Sequence, residues 1–92
     1  MFDEDALIIE EQQADAVTLI DEHSRKVLSV AFDAPLFGIW SPAGKHAPFV
    51  CIEPWYGRCD RVGFNKKLEE REYGTKLSED EEFYTEYTIK VF

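Results

Sequence analysis

Residues 16–32, AVTLIDEHSRKVLSVAF, contain two strand-forming runs and the joint between them. The runs Ala16–Ile20 and Val27–Phe32 are rich in β-branched and large apolar residues, and Asp21–Lys26 between them is polar. A short polar joint between two such runs predicts a β-hairpin. Within the second run, Leu28, Val30 and Phe32 share one face, because side chains alternate along a strand. This stretch therefore predicts antiparallel sheet.

Further strand-like runs lie on both sides of this hairpin. They are expected at Ala6–Glu10, Leu36–Trp40, Phe49–Glu53 and Phe83–Phe92. Pro54 is expected to end the third of these runs, because proline cannot donate a ladder hydrogen bond. The last run alternates a mainly apolar face with a more polar one, which is typical of a half-buried strand. The expected fold class is all-β, with about six antiparallel strands that form part of a β-sandwich.

Residues 55–80 have no clear period and mix three glycines with charged residues. They are interpreted as a long loop with room for one short additional strand. A helical turn over Lys66–Glu72 remains an open alternative. No internal repeat or low-complexity linker interrupts the chain, so the 92 residues are expected to form one domain or less.

The composition is that of a folded protein, since 45% of the residues are apolar and the sequence has a net charge of −9. A field of that sign repels phosphate, so neither nucleic acid nor an anionic membrane surface is expected as a partner. The N-terminus lacks the basic start and apolar stretch of a signal peptide, and no run is long enough to span a bilayer. Cys51 and Cys59 make no disulfide framework, and Cys51 is expected to be a buried free thiol. A cytoplasmic location is expected.

The end of the run Phe49–Glu53 and the residues after it are the best candidates for a functional site. Glu53 lies at the end of an apolar strand, and Trp55 and Tyr56 follow it directly. Aromatic rings offer large flat apolar surfaces with a polar edge, which suits the C–H faces of sugars. A carboxylate beside them can exchange a proton or accept a hydrogen bond. The alternative is an exposed glutamate at a strand end with aromatic residues in the core.

Other polar residues carry weaker indications. His23 falls in the predicted hairpin joint, and His46 stands about 23 Å from Glu53 if the intervening stretch is extended. Neither histidine is therefore expected to act as a general acid with Glu53. The acidic stretches Glu69–Glu72 and Glu79–Glu82 lack the spacing of a calcium loop and are expected to be solvated turns. No metal and no cofactor is predicted.

Residues 47–57, APFVCIEPWYG, resemble the strand that carries the catalytic glutamate in the bacterial mutarotase-related branch of the aldose 1-epimerase (galactose mutarotase-like) family. Three other segments resemble parts of that family in the same order: residues 2–9, 36–41 and 79–92. The likeness covers nearly the whole chain. It identifies residues 1–92 as the C-terminal part of an aldose 1-epimerase-like β-sandwich domain.

The resemblance implies part of the galactose mutarotase-like supersandwich fold and an isomerase of carbohydrate metabolism. That enzyme interconverts the α and β anomers of a free hexose and needs no metal or organic cofactor. Glu53 would be the catalytic base, and an aldohexose would be the partner. The substrate-binding residues would be Trp40, Trp55, Tyr56 and Arg58.

One departure from the family limits this implication. The family's catalytic histidines lie outside the matched region, so this chain alone is expected to show little or no catalysis, and whether it is an enzyme stays open. Two alternatives remain: a non-catalytic carbohydrate-binding domain, and a structural β domain that forms homo-oligomers. For the structural domain, a homodimer is one candidate partner and the missing N-terminal portion is another, because an incomplete sandwich exposes strand edges.

Overall fold

A computed structural model describes residues 6–92. It confirms the all-β fold class, with two three-stranded antiparallel sheets and one short 3₁₀ turn. The strands are β1 (Ala6–Ile9), β2 (Ala16–Ile20), β3 (Lys26–Phe32), β4 (Leu36–Trp40), β5 (Cys51–Trp55) and β6 (Tyr87–Val91). The first sheet has the order β1-β4-β5 and the second sheet has the order β2-β3-β6. Residues 2–5 of the family-like segments lie outside the described residues.

The predicted hairpin is present and is closed by one carboxylate. Asp21 Oδ1 accepts hydrogen bonds from the backbone N–H groups of His23 and Arg25, at 2.8 and 2.9 Å. Asp21 Oδ2 also accepts one from Arg25 Nε at 2.8 Å. Ser24 takes a positive φ of 63°, so the turn reverses within the polar joint. These bonds lower the pKa of Asp21, chiefly through the backbone of Arg25.

The core lies where the two sheets face each other. Val30 and Phe32 on β3 meet Phe37 on β4, and the rings of Phe32 and Phe37 stand 5.2 Å apart between centroids. Alternation explains this arrangement, because Val30 and Phe32 share the face of β3 that the sequence predicts to be apolar. Ala34, in the crossover from the second sheet to the first, is fully buried beside them.

Strand β5 differs from its predicted bounds. It runs from Cys51 to Trp55 instead of Phe49 to Glu53, and Pro54 lies within it, opposite Phe37. Pro54 is tolerated because β5 is an edge strand of the first sheet, where a missing N–H need not interrupt a ladder. Cys51 is a free thiol, as expected, but is only half-buried.

The long loop is confirmed, and charged side chains hold it in place. A 3₁₀ turn at Leu68–Glu70 lies inside the segment that the sequence left open as a helical turn. Arg61 Nε donates to both carboxylate oxygens of Glu72, at 3.0 and 3.1 Å. Arg71 Nε donates to Asp60 at 2.6 Å, and its Nη2 donates to the carbonyl of Arg58 at 3.1 Å. The loop is thus cross-linked by ion pairs, although it has little regular structure.

Strand β6 is shorter than predicted. Its ladder begins at Tyr87, whereas the alternating sequence begins at Phe83. The residues before it make side-chain contacts: Phe83 packs edge-on against Tyr56 with ring centroids 5.8 Å apart. Within residues 6–92, no helix has the length and apolar character that crossing a membrane would require.

Candidate functional site

The strand register brings Trp40, Glu53 and Trp55 to one face of the first sheet. Gly38 pairs with Glu53, and Trp40 pairs with Cys51. Paired residues share a face and alternate residues return to it, so these side chains lie opposite Phe37 and the core. We call the surface formed by Trp40, Glu53 and Trp55 the indole face. The sequence predicted each of its three members as a site residue, and the structure places them together.

Gly38 shapes the centre of the indole face. A Cβ atom added at Gly38 would lie 3.3 Å from Cζ2 and 3.6 Å from Nε1 of Trp55, so the indole passes directly over this residue. The indole N–H of Trp55 donates to Glu53 Oε1 at 3.3 Å. This bond and the contact with Gly38 hold the ring close to the sheet beside the carboxylate, and Trp55 as a whole is partly exposed.

Trp40 is supported by the loop that follows β4. Its ring lies 5.9 Å from that of Phe49 between centroids, with the two planes tilted by 46°. Ser41, which is buried, donates a hydrogen bond from Oγ to the carbonyl of Phe49 at 2.9 Å. The loop between β4 and β5 is therefore pinned at its two ends, and it holds Phe49 against Trp40.

The structure does not bring the other two predicted binding residues to the indole face. Tyr56 follows Trp55 and points the opposite way, where it packs against the core. Arg58 forms an ion pair with Glu10, and both side chains are about three-quarters buried, with 22% and 26% exposure. Neither residue is free to contact a ligand that lies over Trp55.

Tyr56 belongs to a hydrogen-bonded cluster that the sequence did not reveal. Its hydroxyl donates to Asp33 Oδ1 at 2.5 Å, and Thr85 Oγ1 donates to the same oxygen at 2.7 Å. Thr85 Oγ1 also contacts the hydroxyl of Tyr56. The bond from Tyr56, followed by that from Thr85, lowers the pKa of Asp33. Burial, with a smaller contribution from Asp33, raises the pKa of Tyr56.

A cleft of about 360 Å³ opens beside this cluster, and Asp33, Tyr56, Tyr73, Phe83 and Thr85 line it. The carboxylate oxygen of Asp33 that faces the cluster already accepts two hydrogen bonds. The cluster therefore fastens the start of the long loop and its end to the crossover between β3 and β4. No sequence pattern indicates it, since Tyr56 and Thr85 lie 23 and 52 residues from Asp33.

The described part of the chain contains no group of three or more His, Cys, Asp or Glu side chains arranged to hold a metal ion. His23 lies in the exposed turn between β2 and β3, as the sequence predicted, and its nearest charged neighbour is Glu22 at 3.6 Å. The groups of the indole face are thus the Glu53 carboxylate and the indoles of Trp40 and Trp55, and the half-buried thiol of Cys51 lies on the same side of the sheet.

Comparisons with known proteins give two related matches. The chain is 33% identical over 78 residues to the proteins named LacX, chromosomal, and LacX, plasmid, both from Lactococcus lactis subsp. lactis. The match covers 84% of this chain and 26% of each relative, so the chain spans about a quarter of their length. No family model and no solved structure matches it.

These matches correct the family expected from the sequence. The relatives are LacX proteins, which are a different family from the mutarotase-like proteins. The predicted membership in the aldose 1-epimerase family is therefore wrong. The predicted interconversion of hexose anomers, which rested on that membership, is wrong with it. The role of Glu53 as a catalytic base loses its support, whereas its position beside two indoles is a property of the structure.

Proposed function

We propose that the indole face is a non-catalytic binding surface for a neutral monosaccharide. The observation that carries this proposal is the position of the Trp55 indole, which is held flat over Gly38 with its N–H on the Glu53 carboxylate. A ring fixed in this way loses little conformational entropy when a ligand stacks on it. Trp55 is partly exposed, and a sugar would stack on the side of its ring that is turned away from Gly38.

Glu53 supplies the polar part of the proposed surface. A carboxylate oxygen accepts several hydrogen bonds, and Trp55 occupies only one acceptor position of Oε1. Hydroxyl groups of a sugar stacked on Trp55 can donate to the remaining positions. Hydrogen bonds to a charged acceptor are the stronger kind, which makes Glu53 the residue that orients the ligand. A neutral sugar fits better than a sugar phosphate, because the chain has a net charge of −9.

The proposal is tested by titrating the full chain with glucose and galactose and following amide and indole N–H shifts by NMR. We expect saturable shifts centred on Trp55, with weak affinity in the millimolar range that is usual for a single stacking platform. Trp55→Ala should abolish saturation. Glu53→Gln keeps the shape of the side chain but removes the charge, and should weaken binding about tenfold, because charged acceptors contribute about 1.5–3 kcal/mol.

Tyr84→Ala is the matched control, since Tyr84 is also an exposed aromatic residue and lies outside the indole face. It should bind sugar as the unmodified chain does. Saturable binding that survives Trp55→Ala, or no binding of any hexose by the folded chain, would rule out the proposed surface.

A further inference from the structure

The second sheet has two edge strands, β2 and β6, and the edge formed by β6 is exposed. Among residues 6–92 this strand pairs with β3 alone, and all five of its residues are exposed. The N–H of Phe92 donates to the carbonyl of Val27, which makes these two residues a hydrogen-bonded pair. In an antiparallel ladder such pairs alternate, so Thr88 and Lys90 also point their backbone groups toward β3. The backbone groups of Tyr87, Ile89 and Val91 therefore point away from the sheet.

The same three residues form an uncovered apolar strip. Tyr87, Ile89 and Val91 continue the face of the second sheet that carries Val30 and Phe32, because they pair in register with that face. Val30 and Phe32 are buried, whereas Tyr87, Ile89 and Val91 are 62%, 55% and 77% exposed. An unpaired edge beside an apolar strip is a ready site for addition of another strand.

The charges on the opposite face of β6 indicate which strand can be added. Thr88 and Lys90 lie on that face, and Glu86, the residue directly before the strand, falls on it if the alternation continues for one more residue. If two copies of β6 pair antiparallel about Thr88, each Glu86 lies opposite Lys90 of the other copy. The twofold symmetry makes two such ion pairs, and Tyr87 then lies opposite Ile89 on the apolar face.

The backbone allows this register. Pairing about Thr88 places Tyr87 opposite Ile89, and both of these residues have outward-pointing N–H and C=O groups that can be exchanged. Pairing about Ile89 also satisfies the backbone, but it places Lys90 opposite Thr88 and makes no ion pair. Opposite charges facing each other across strands are favourable, so the charge pattern selects the first register.

We infer that β6 is the contact surface for a second copy of this chain. The two strands pair antiparallel about Thr88 and join two three-stranded sheets into one of six strands. Pairing covers the apolar strips of both copies along the join and satisfies the outward backbone groups of Tyr87 and Ile89. The net charge of −9 on each copy opposes association at long range, so the complementary pairs at the join set the register as well as adding affinity.

The test is a charge exchange measured by sedimentation equilibrium on the full chain, from low micromolar to several hundred micromolar. Glu86→Lys places lysine opposite lysine twice, and Lys90→Glu places glutamate opposite glutamate twice. Each single variant should raise the dissociation constant of the dimer about tenfold, because facing like charges replace two favourable cross-strand pairs. The double variant restores opposite charges at both places and should dimerise within about threefold of the unmodified chain.

Two control variants show whether a change in the dissociation constant comes from the register of the strands, from the net charge or from loss of folding. Glu82→Lys changes the net charge as Glu86→Lys does, but Glu82 lies before β6, so the dimer should persist. Ile89→Pro removes an outward N–H that β3 does not use, so it should abolish the dimer while the circular dichroism spectrum of the sheets remains.

Several outcomes would overturn the inference. A chain that is monomeric throughout the concentration range leaves the edge for another partner. A dimer that is indifferent to both single charge reversals, or equally weakened by Glu82→Lys, does not pair about Thr88. A double variant that remains as weak as the single variants also contradicts the proposed register.

Discussion

The hydrogen bonds that Tyr56 and Thr85 donate to Asp33 join three segments that are far apart in the chain. They tie the end of β5 and the residues before β6 to the crossover between the two sheets. One carboxylate thus closes both ends of the long loop. The charge state of Asp33 therefore affects how firmly these three segments are held together.

The lowered pKa of Asp33 predicts the direction of its effect on stability. The folded-state pKa lies below the ordinary value of 3.8, so the stabilising contribution is fully present above that value. It is lost as the pH falls through the folded-state pKa. Asp33→Asn should therefore lower the free energy of unfolding at neutral pH, and the difference from the unmodified chain should shrink near pH 3.

Urea denaturation at the two pH values measures this difference. Asp15→Asn is the control, because no hydrogen bond to the Asp15 side chain occurs within residues 6–92, and it should leave the free energy of unfolding nearly unchanged at both. Hydrogen bonds also lower the pKa values of Asp21 and Glu81. The free energy of unfolding of every variant will therefore still depend on pH to some extent. An Asp33→Asn variant as stable as Asp15→Asn at neutral pH would contradict the role given to the cluster.

Leu36 provides a second test at the scale of one residue. It is the only large side chain of the described residues that is fully buried. Leu36→Ala should lower the free energy of unfolding by about 2–5 kcal/mol, because it removes apolar contacts and leaves a cavity. Leu77, which is 47% exposed, is the matched control. Leu77→Ala should cost less than about 1 kcal/mol in the same denaturation experiment. Equal losses at the two positions would contradict the burial of Leu36.

At the scale of elements, β4 and β5 depend on each other through Gly38 and Trp55. A valine at position 38 needs the space that the indole occupies, and overpacking of this kind costs about 1–3 kcal/mol. An alanine needs only a small shift of the ring, because its Cβ would stand 3.3 Å from the nearest ring atom. It also reduces the conformational entropy of the unfolded chain, which stabilises by about 0.4–1 kcal/mol.

We therefore expect Gly38→Ala to have nearly the same free energy of unfolding as the unmodified chain. Gly38→Val should have a clearly lower one. Denaturation monitored by fluorescence in a Trp40→Phe background reports on Trp55 alone. Gly38→Val should also shift the emission of Trp55, since its indole must leave the sheet. If valine is accepted at no cost and without a spectral change, the indole does not lie over Gly38 in solution.

The molecule as a whole is unusually open for its length. Its Cα radius of gyration is 16.1 Å and its extents are 49 × 31 × 19 Å. A compact domain of this length has a radius of gyration of about 12 Å. The difference arises because the two small sheets overlap only around Val30, Phe32 and Phe37, and β6 with the long loop extends beyond that core. The exposed apolar strip on β6 is a consequence of this limited overlap.

This shape can be measured by small-angle X-ray scattering. The Lys90→Glu variant is the sample of choice, because the inferred dimer is weakened in it. Its radius of gyration should be near 16 Å, and a value near 12 Å would show that the sheets overlap more completely in solution. Glu82→Lys, with its dimer retained, should give a larger value at the same concentration.

Strand positions were predictable because alternation is a local property of the sequence. The hairpin, β1, β4 and the all-β class follow from it, whereas the shared face of Glu53 and Trp55 does not, because the predicted strand ended before Trp55. Errors arose at the ends of strands, because pairing with a neighbouring strand decides where a strand begins and ends. Pro54 lies inside β5 because β5 is an edge strand. Strand β6 begins at Tyr87 because its ladder with β3 begins there. The expected enzyme family rested on resemblance, and the comparisons contradicted it.

The sequence by itself determined which segments are strands and which face of β3 is apolar, and it singled out Glu53 and Trp55 as neighbours in one segment, while the structure extends β5 so that both share a face. Only the tertiary structure decided that Trp40 lies on the same face and that Gly38 makes room for the Trp55 indole. It also decided that Tyr56 donates a hydrogen bond to Asp33 and that Arg58 pairs with Glu10. The physical reason is distance along the chain. Alternation acts between neighbouring residues, whereas sheet register, packing and charge pairing join residues that no local pattern relates.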